Sequence, residues 1–237
     1  ADCYPLPYLT DFTVNLRGKR IFSKIDLQKA FHQIPIHPED IPKTAISTPF
    51  GLYEFRTMTF GLCDAAQTFQ RLINEVFRGV DFVFPYIDDI FIASTTLSQH
   101  RHDLRVVFER LRENSLEINL SKCEFGKSEL KFLGHIVSAD GIRPLPEKID
   151  AIKNFPLPKT AQELKRFIGM INFYRKFLPH ATSYQAILQD MVPGNKKNDF
   201  TPLVWTTVTE AAFNRCKTEL ANATLLVHPH ANAELSI

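Results

Sequence analysis

Two adjacent acidic residues, Asp88 and Asp89, interrupt the otherwise apolar segment FVFPYIDDIFIA at residues 82–93. An ionised carboxylate buried without a partner costs several kcal/mol, so a fold keeps it only with water, a cation or hydrogen bonds. The apolar runs on both sides of the pair predict a β-hairpin. An exposed turn is the alternative interpretation, although the glycine that usually accompanies a tight hairpin turn is absent.

Asp26 is another carboxylate beside an apolar segment. It follows the apolar run IFSKI at 21–25, which predicts a buried strand. The next residues, LQKAFH at 27–32, predict a short helix that Asp26 could cap. In the other interpretation, the strands bring Asp26 to the same sheet edge as Asp88 and Asp89. Three carboxylates gathered in this way suit Mg²⁺, which takes oxygen ligands and shares them with phosphates.

A pair of such ions activates an attacking hydroxyl and stabilises a leaving oxygen in displacement at phosphorus. The acidic residues therefore indicate phosphoryl or nucleotidyl transfer. A histidine-based metal site competes poorly, since none of the eight histidines lies in an HExxH pattern.

Helical spacing of apolar residues, together with proline and glycine positions, predicts the remaining elements. They are an extended, loop-rich region at 34–50, helices at 65–77 and 100–114, a strand pair at 131–137 bent at Gly134, two helices after Gly141 hinged by Pro156 and Pro158, and a helix within 205–223 followed by a strand to Ile237. Thr160 and Glu163 form a predicted capping box. The order of elements indicates an α+β fold, an antiparallel sheet with helices on one face.

Composition narrows the class of protein. The 237 residues are 44% hydrophobic and 23% charged, which is ordinary for a globular chain. No apolar run reaches the roughly 18 to 20 residues of a membrane span, and the first residues lack a signal-peptide pattern, so we expect neither a membrane partner nor secretion. The four cysteines form no CxxC pair, which argues against a zinc ribbon. Since the chain begins with Ala1, we interpret it as a fragment or a processed product.

Positive charge is concentrated in the middle of the chain. Residues 96–180 carry 15 lysines and arginines against 10 acidic residues. This surplus suits a polyanionic partner, and a solvated helix face is the alternative interpretation.

Five motifs, in order, resemble those of one family. FSKIDLQKAFHQIP (22–35), TFGLCDAAQTFQRL (59–72), YIDD (86–89), INLSKCEF (118–125) and FLGHIVS (132–138) resemble the palm motifs of reverse transcriptases from gypsy-type LTR retrotransposons. ELKRFIGMINFYRKFLP (163–179) is similar to the family's thumb. The resemblance implies a right-hand polymerase palm with partial fingers at 1–140, a helical thumb or connection at 141–199 and the start of a ribonuclease H-like domain at 200–237.

The resemblance also assigns roles to single residues. Asp26, Asp88 and Asp89 match the catalytic aspartates that hold two Mg²⁺ ions, or Mn²⁺ in their place. Leu27, Phe31, Phe60, Gly61 and Lys122 match nucleotide-binding residues, with Phe31 as the ring that excludes a 2′-hydroxyl and Lys122 near the leaving pyrophosphate. Phe132, Leu133 and Gly134 match the primer grip. Lys165, Arg166, Arg175 and Lys176 match thumb residues that contact the nucleic-acid backbone.

The implied activity is RNA-directed DNA polymerisation in the cytoplasm, within a retrotransposon particle, or in the nucleus. The implied partners are an RNA or DNA template with its primer, deoxynucleoside triphosphates, and the ribonuclease H and integrase domains of a full polyprotein. The family usually has proline, asparagine and proline where Thr59, Asp64 and Ala66 stand, and much of its fingers subdomain precedes YPLP. These departures leave open an inactive module that only binds nucleic acid or a protein. A metal-dependent nuclease, the third hypothesis, leaves FLGHIVS and Phe31 unexplained.

Overall fold

The computed structural model describes residues 4–8, 12–178, 181–192, 194, 199–222, 226 and 228. Apart from Leu226 and His228, the strand predicted up to Ile237 therefore lies outside the described residues. Backbone contacts divide the chain into two compact units, Ala1–Phe132 with His228–Ile237, and Leu133–Val227. The functional boundaries predicted near residues 140 and 199 stay predictions. Within the described ranges, no helix is long and apolar enough to cross a membrane.

The first unit is built on a four-stranded antiparallel sheet. The strands of this unit, inside and outside that sheet, are β1 (Ile21–Asp26), β2 (Ile46–Thr48), β3 (Gly51–Tyr53), β4 (Val83–Tyr86), β5 (Asp89–Ser94), β6 (Glu124–Lys127) and β7 (Glu129–Phe132). The longer helices of the unit are α1 (Ala65–Val76) and α2 (Leu97–Glu113). The main sheet has the order β4-β5-β1-β6, and among the described strands β2 pairs only with β3. The predicted hairpin and both predicted helices are confirmed.

The two faces of the sheet have different partners because side chains alternate along a strand. Ile25, Ile90 and Ile92 pack against α1 and α2 in one buried core. Phenylalanines on the opposite face contact one another ring to ring: Phe12, Phe22, Phe84, Phe91 and Phe132. The prediction of helices on one face is thereby confirmed, and the alternation puts Asp26 and Asp89 on the other face.

A buried hydrogen-bond network joins α2 to this sheet. His100 lies between two hydroxyls, with Nε2 at 2.6 Å from Ser23 Oγ and Nδ1 at 2.8 Å from Ser94 Oγ. Ser94 donates to an Asp103 oxygen at 2.6 Å, and the amide of Gly126 donates to Ser23 Oγ at 3.0 Å. The network therefore ties α2 to the sheet strands.

Three local predictions differ from the structure. The helix predicted after Asp26 is a 3-10 turn at Ala30–Gln33, preceded by Lys29 in the left-handed conformation. Longer-range bonds prevent an earlier start, because Asn119 donates to the Asp26 carbonyl and Gln28 donates to the Glu117 carbonyl. The loop predicted at 34–50 contains a 3-10 helix, Pro38–Thr44, which begins at a proline. Helix α2 begins at Leu97 because Thr96 caps it, accepting from the Gln99 amide at 3.2 Å.

The hairpin of β2 and β3 exposes large apolar side chains. The exposed fractions are 45% for Ile46, 88% for Phe50, 69% for Leu52 and 52% for Tyr53. The hairpin therefore contributes little to the core of the first unit.

The second unit is mainly helical. It contains β8 (His135–Ser138), which pairs with β9 (Ile142–Pro144), and the helices α3 (Pro146–Lys153), α4 (Ala161–Phe173), α5 (Ala181–Asp190) and α6 (Thr207–Ala221). The two helices predicted after Gly141 and the later capped helix are confirmed. Because α6 packs on α3 and α5, this unit continues past residue 199.

The predicted capping box at α4 forms only in part. Thr160 Oγ1 accepts from the Glu163 amide, but the Glu163 carboxylate accepts from the amide of Lys159, one residue before the cap. A complete capping box forms instead at α6, between Thr206 and Thr209.

Candidate active site

The three predicted aspartates meet at one edge of the main sheet. Asp26, the last residue of β1, lies directly opposite Asp89, the first residue of β5. Asp88 precedes Asp89 in the turn, and its carbonyl oxygen accepts from the Leu27 amide at 2.9 Å. The alternative in which Asp26 caps a helix is therefore wrong, because its backbone belongs to the sheet.

The turn between β4 and β5 consists of two residues, Ile87 and Asp88, since Tyr86 pairs with Asp89. Ile87 has φ 51°, which a β-branched residue adopts only when its surroundings impose it. A tight turn thus forms without glycine. The turn interpretation holds for Asp88, which is exposed, whereas Asp89 begins a strand and is partly buried.

Gln70 holds this turn from helix α1, although the sequence analysis did not identify it. Its side chain is fully buried, and its Oε1 accepts from the Ile87 amide at 2.8 Å. Its Nε2 donates to the Pro85 carbonyl at 3.0 Å and to Asn74 Oδ1 at 2.9 Å. The signal in the sequence was a glutamine beside Phe69 on the apolar side of an amphipathic helix.

Replacing Gln70 by leucine is expected to lower the free energy of unfolding by about 2 to 4 kcal/mol, because the Ile87 amide and Pro85 carbonyl lose their partner. The nucleotide addition that the family resemblance implies should fall about tenfold or more as the turn that carries Asp88 relaxes. Gln67→Leu is the matched control, since the buried Gln67 Oε1 has no hydrogen-bond partner in the part of the chain that the structure describes. Chemical denaturation and primer extension measure both effects, and equal losses in the two variants would contradict the role of Gln70.

Three negatively charged carboxyl groups, those of Asp26, Asp88 and Asp89, interact with one another at the site. Burial raises the pKa of the Asp89 carboxyl, the nearby Lys24 ammonium lowers it, and the negative charges of Asp88 and Asp26 raise it again. Lys24 Nζ lies 3.9 Å from Asp89 Oδ1, and Lys122 Nζ lies 3.9 Å from Asp26 Oδ1. A cation bound among these carboxylates would relieve their mutual repulsion.

A cavity of about 400 Å³ opens beside these residues. It is lined by Asp26, Leu27, Gln28, Lys29, Ala30, Phe31, Phe60, Asp88, Asn119 and Lys122. Phe31 meets Phe60 edge to face, with ring centroids 5.3 Å apart. Most residues predicted to bind nucleotide therefore line one cavity, and Gln28, Lys29 and Asn119 are lining residues that the sequence analysis missed.

The cavity does not contain a preformed three-ligand metal centre. Among the described residues, no group of three or more His, Cys, Asp or Glu side chains could hold a metal ion. Asp26 and Asp88 nevertheless line the cavity, whereas Asp89 does not. Two carboxylates fit Mg²⁺, which usually takes one or two from the protein and the rest of its ligands from water and substrate phosphates.

The other predicted site residues lie in several environments. Gly61 has φ 95°, and a Cβ there would meet no atom within 4 Å, so backbone conformation rather than crowding favours glycine. Phe132 is buried in the ring cluster of the first unit, whereas Leu133 and Gly134 belong to the second unit.

The four predicted backbone-contacting residues also lie in the second unit. Lys165 Nζ lies 3.5 Å from Asp199 Oδ2, and Arg175 donates to Thr182 Oγ1 at 2.9 Å. Lys176 Nζ lies 5.2 Å from the Phe177 ring centroid, and Arg166 is exposed. Their contact with nucleic acid stays a prediction.

Comparison with known proteins decides the family. A family model described as reverse transcriptase (RNA-dependent DNA polymerase) matches residues 2–137. The chain belongs to the reverse transcriptase family. The family predicted from the five motifs is thereby confirmed.

Two relatives are Pol polyproteins of transposons. The retrovirus-related Pol polyprotein from transposon 297 of Drosophila melanogaster is 42% identical over 198 residues, which cover 83% of this reverse transcriptase chain and 18% of that protein. The retrovirus-related Pol polyprotein from transposon opus of the same organism is 38% identical over 236 residues, 96% of this chain and 24% of that protein. The chain thus spans less than a quarter of the length of these relatives.

Solved structures share the fold of this reverse transcriptase chain. The foamy viral protease-reverse transcriptase in complex with RNA/DNA hybrid has a TM-score of 0.84 and 23% identity, covering 96% of this chain and 31% of that chain. The same viral protein in complex with double-stranded DNA has a TM-score of 0.86 and 23% identity, covering 98% and 48%. The predicted α+β polymerase fold is confirmed.

Proposed function

We propose that the chain carries the polymerase site of an RNA-directed DNA polymerase, which adds deoxynucleotides to the 3′-hydroxyl of a primer. The observation that carries the proposal is the register of β1 and β5, which sets Asp26 opposite Asp89 with Asp88 in the adjoining turn. Asp26 and Asp88 also line a cavity, in a chain of the reverse transcriptase family.

Asp26 and Asp88 would hold the divalent ions, Mg²⁺ or Mn²⁺, with Asp89 adding negative charge beside them. When bound, such ions activate the attacking hydroxyl and stabilise the leaving oxygen. Lys122, 66% exposed in its side chain and close to Asp26, offers a positive charge to the phosphates of a deoxynucleoside triphosphate.

Phe31 would select deoxynucleotides over ribonucleotides. Its ring is fixed by edge-to-face contacts with Phe60 and Phe69, at centroid distances of 5.3 and 5.7 Å. A ring held on two sides cannot move away from a 2′-hydroxyl, so a ribose in the cavity would meet it. Leu27 and Gly61 would complete the nucleotide site, as the family resemblance assigns them.

The nucleic-acid partner would be a template with its primer. In support, the foamy viral protein of the same fold is in complex with RNA/DNA hybrid in one structure and with double-stranded DNA in another. Phe132, Leu133 and Gly134 would hold the primer end, and Lys165, Arg166, Arg175 and Lys176 would contact phosphates. In a complete polyprotein, ribonuclease H and integrase domains would accompany this segment.

Extension of a labelled DNA primer on an RNA template tests the proposal. We expect the chain to lengthen the primer with deoxynucleotides and Mg²⁺, to stop when a chelator removes the ion, and to use ribonucleotides poorly. Salt-sensitive binding without any extension would identify an inactive binding module and overturn the proposal. Shortening of the primer in place of extension would indicate a nuclease and overturn it as well.

A further inference from the structure

The turn at Leu133 and Gly134 has a backbone that L-amino acids rarely adopt, with φ 44° at Leu133 and φ 77° at Gly134. A Cβ atom on Gly134 would lie 3.0 Å from two carbon atoms of the Phe173 ring, so a side chain there would need that ring to shift and would also adopt a rare positive φ. The turn therefore packs directly against the end of α4.

Two side chains engage the carbonyl groups of this turn. The Tyr174 hydroxyl donates to the Gly134 carbonyl at 2.9 Å, and His135 Nδ1 lies 2.7 Å from the Leu133 carbonyl oxygen. Because a carbonyl oxygen only accepts, Nδ1 carries the proton. Nε2 of His135 is buried and has no partner among the described residues. Each residue of the turn is thus held by one side-chain donor.

Aromatic contacts fix the His135 ring in place. It stacks on Phe173 at 5.3 Å and on Phe177 at 5.6 Å, with interplanar angles of 29° and 28°. Burial and the neighbouring Lys176 charge lower the pKa of His135 to about 4. Burial and the charge of Glu147 raise the pKa of Tyr174 to about 12. At neutral pH, His135 is therefore neutral and Tyr174 protonated, as the two hydrogen bonds require.

We propose that Tyr174 and His135 are positioning residues, which hold the turn at Leu133 and Gly134 in the shape that receives the 3′ end of a primer. The inference rests on the proposed function, because the primer-binding role of the turn comes from the family resemblance. A turn fixed before binding loses little conformational freedom when the primer arrives, and this increases affinity. Tyr174 and His135 lie within motifs of the family resemblance, which assigns neither of them a role.

Tyr174→Phe tests the proposal, because it removes one hydroxyl and keeps the ring. Fluorescence anisotropy without nucleotide addition measures the Kd of the whole chain for a recessed primer end on a template and for a blunt duplex. We expect Tyr174→Phe to raise the Kd for the recessed end about five- to tenfold, the effect of one lost hydrogen bond, and to leave the blunt duplex unchanged. His135→Phe keeps a ring for stacking, removes the second bond and should act in the same direction.

Tyr184→Phe, on α5 of the same unit, is the matched control and should bind both nucleic acids as the parent does. Equal Kd values of parent, Tyr174→Phe and His135→Phe for the recessed end would overturn the proposal. So would an equal loss in Tyr184→Phe or on the blunt duplex, since either would indicate a merely structural effect. If the chain binds a primer but never extends it, only the proposed function is contradicted. The positioning proposal is tested separately, because the binding comparison does not depend on nucleotide addition.

Discussion

Replacing Asp88 by asparagine is expected to lower the rate of nucleotide addition about a thousandfold or more, equivalent to about 4 kcal/mol of transition-state stabilisation. Asp88 is exposed in its turn and lines the cavity, so its carboxylate is free to take part in cation binding there. An asparagine of the same shape lacks the negative charge that attracts a divalent ion. The fold should survive, because it is the backbone carbonyl of Asp88 that accepts from the Leu27 amide.

Single-turnover primer extension at saturating template measures this effect, with the unfolding free energy determined alongside. Asp81→Asn is the matched control, since Asp81 is an exposed residue before β4 and does not line the candidate site. Extension by Asp88→Asn at the parent rate would remove Asp88 from the chemistry. A parallel loss in Asp81→Asn would point to a general effect of charge.

His100→Phe is expected to destabilise the first unit by about 3 to 5 kcal/mol, because two buried hydroxyls lose a partner. The proton positions follow from the contacts. Ser94 gives its only hydroxyl proton to Asp103, so it accepts from His100 Nδ1, and Ser23 donates to Nε2. A phenylalanine can replace neither bond.

The same network predicts acid sensitivity. Burial lowers the pKa of His100 from the usual 6.5, against the opposing charge of Asp103. Below pH 6.5 the unfolded chain therefore binds more protons than the folded chain, and stability falls as the pH falls. Urea unfolding between pH 8 and pH 5 measures this loss, which should be smaller in His100→Phe. His102→Phe, an exposed position on the same helix, should match the parent, and a parent stability independent of pH would contradict the argument.

The local pattern of apolar residues was enough to predict most helices and strands. The order of the five motifs was enough to identify the candidate site residues. Apolar runs were enough to predict β1 and the β4–β5 hairpin, and helical apolar spacing was enough for the longer helices. The aspartates could be grouped because strands of one sheet bring distant residues to a common edge. What the pattern could not supply was register, and it is register that sets Asp26 opposite Asp89.

The errors arose where distant backbone decides local structure. The chain after Asp26 stays extended because Asn119 and Gln28 make long-range bonds, which no helical pattern at 27–32 reveals. The left-handed Ile87 was unpredictable from its type, since isoleucine disfavours that conformation and Gln70 imposes it from another element. The supporting residues of a site are therefore harder to read from sequence than its charged ones.

The apolar hairpin of β2 and β3 affects every experiment on the isolated chain. Ile46, Phe50, Leu52 and Tyr53 expose apolar surface that water solvates poorly, on short strands whose outer edges have no neighbour among the described strands. Concentrated samples should aggregate through these exposed side chains, and sulfate or phosphate buffers should promote the aggregation. Rates and dissociation constants are therefore best determined in dilute solution, where collisions between hairpins are rare.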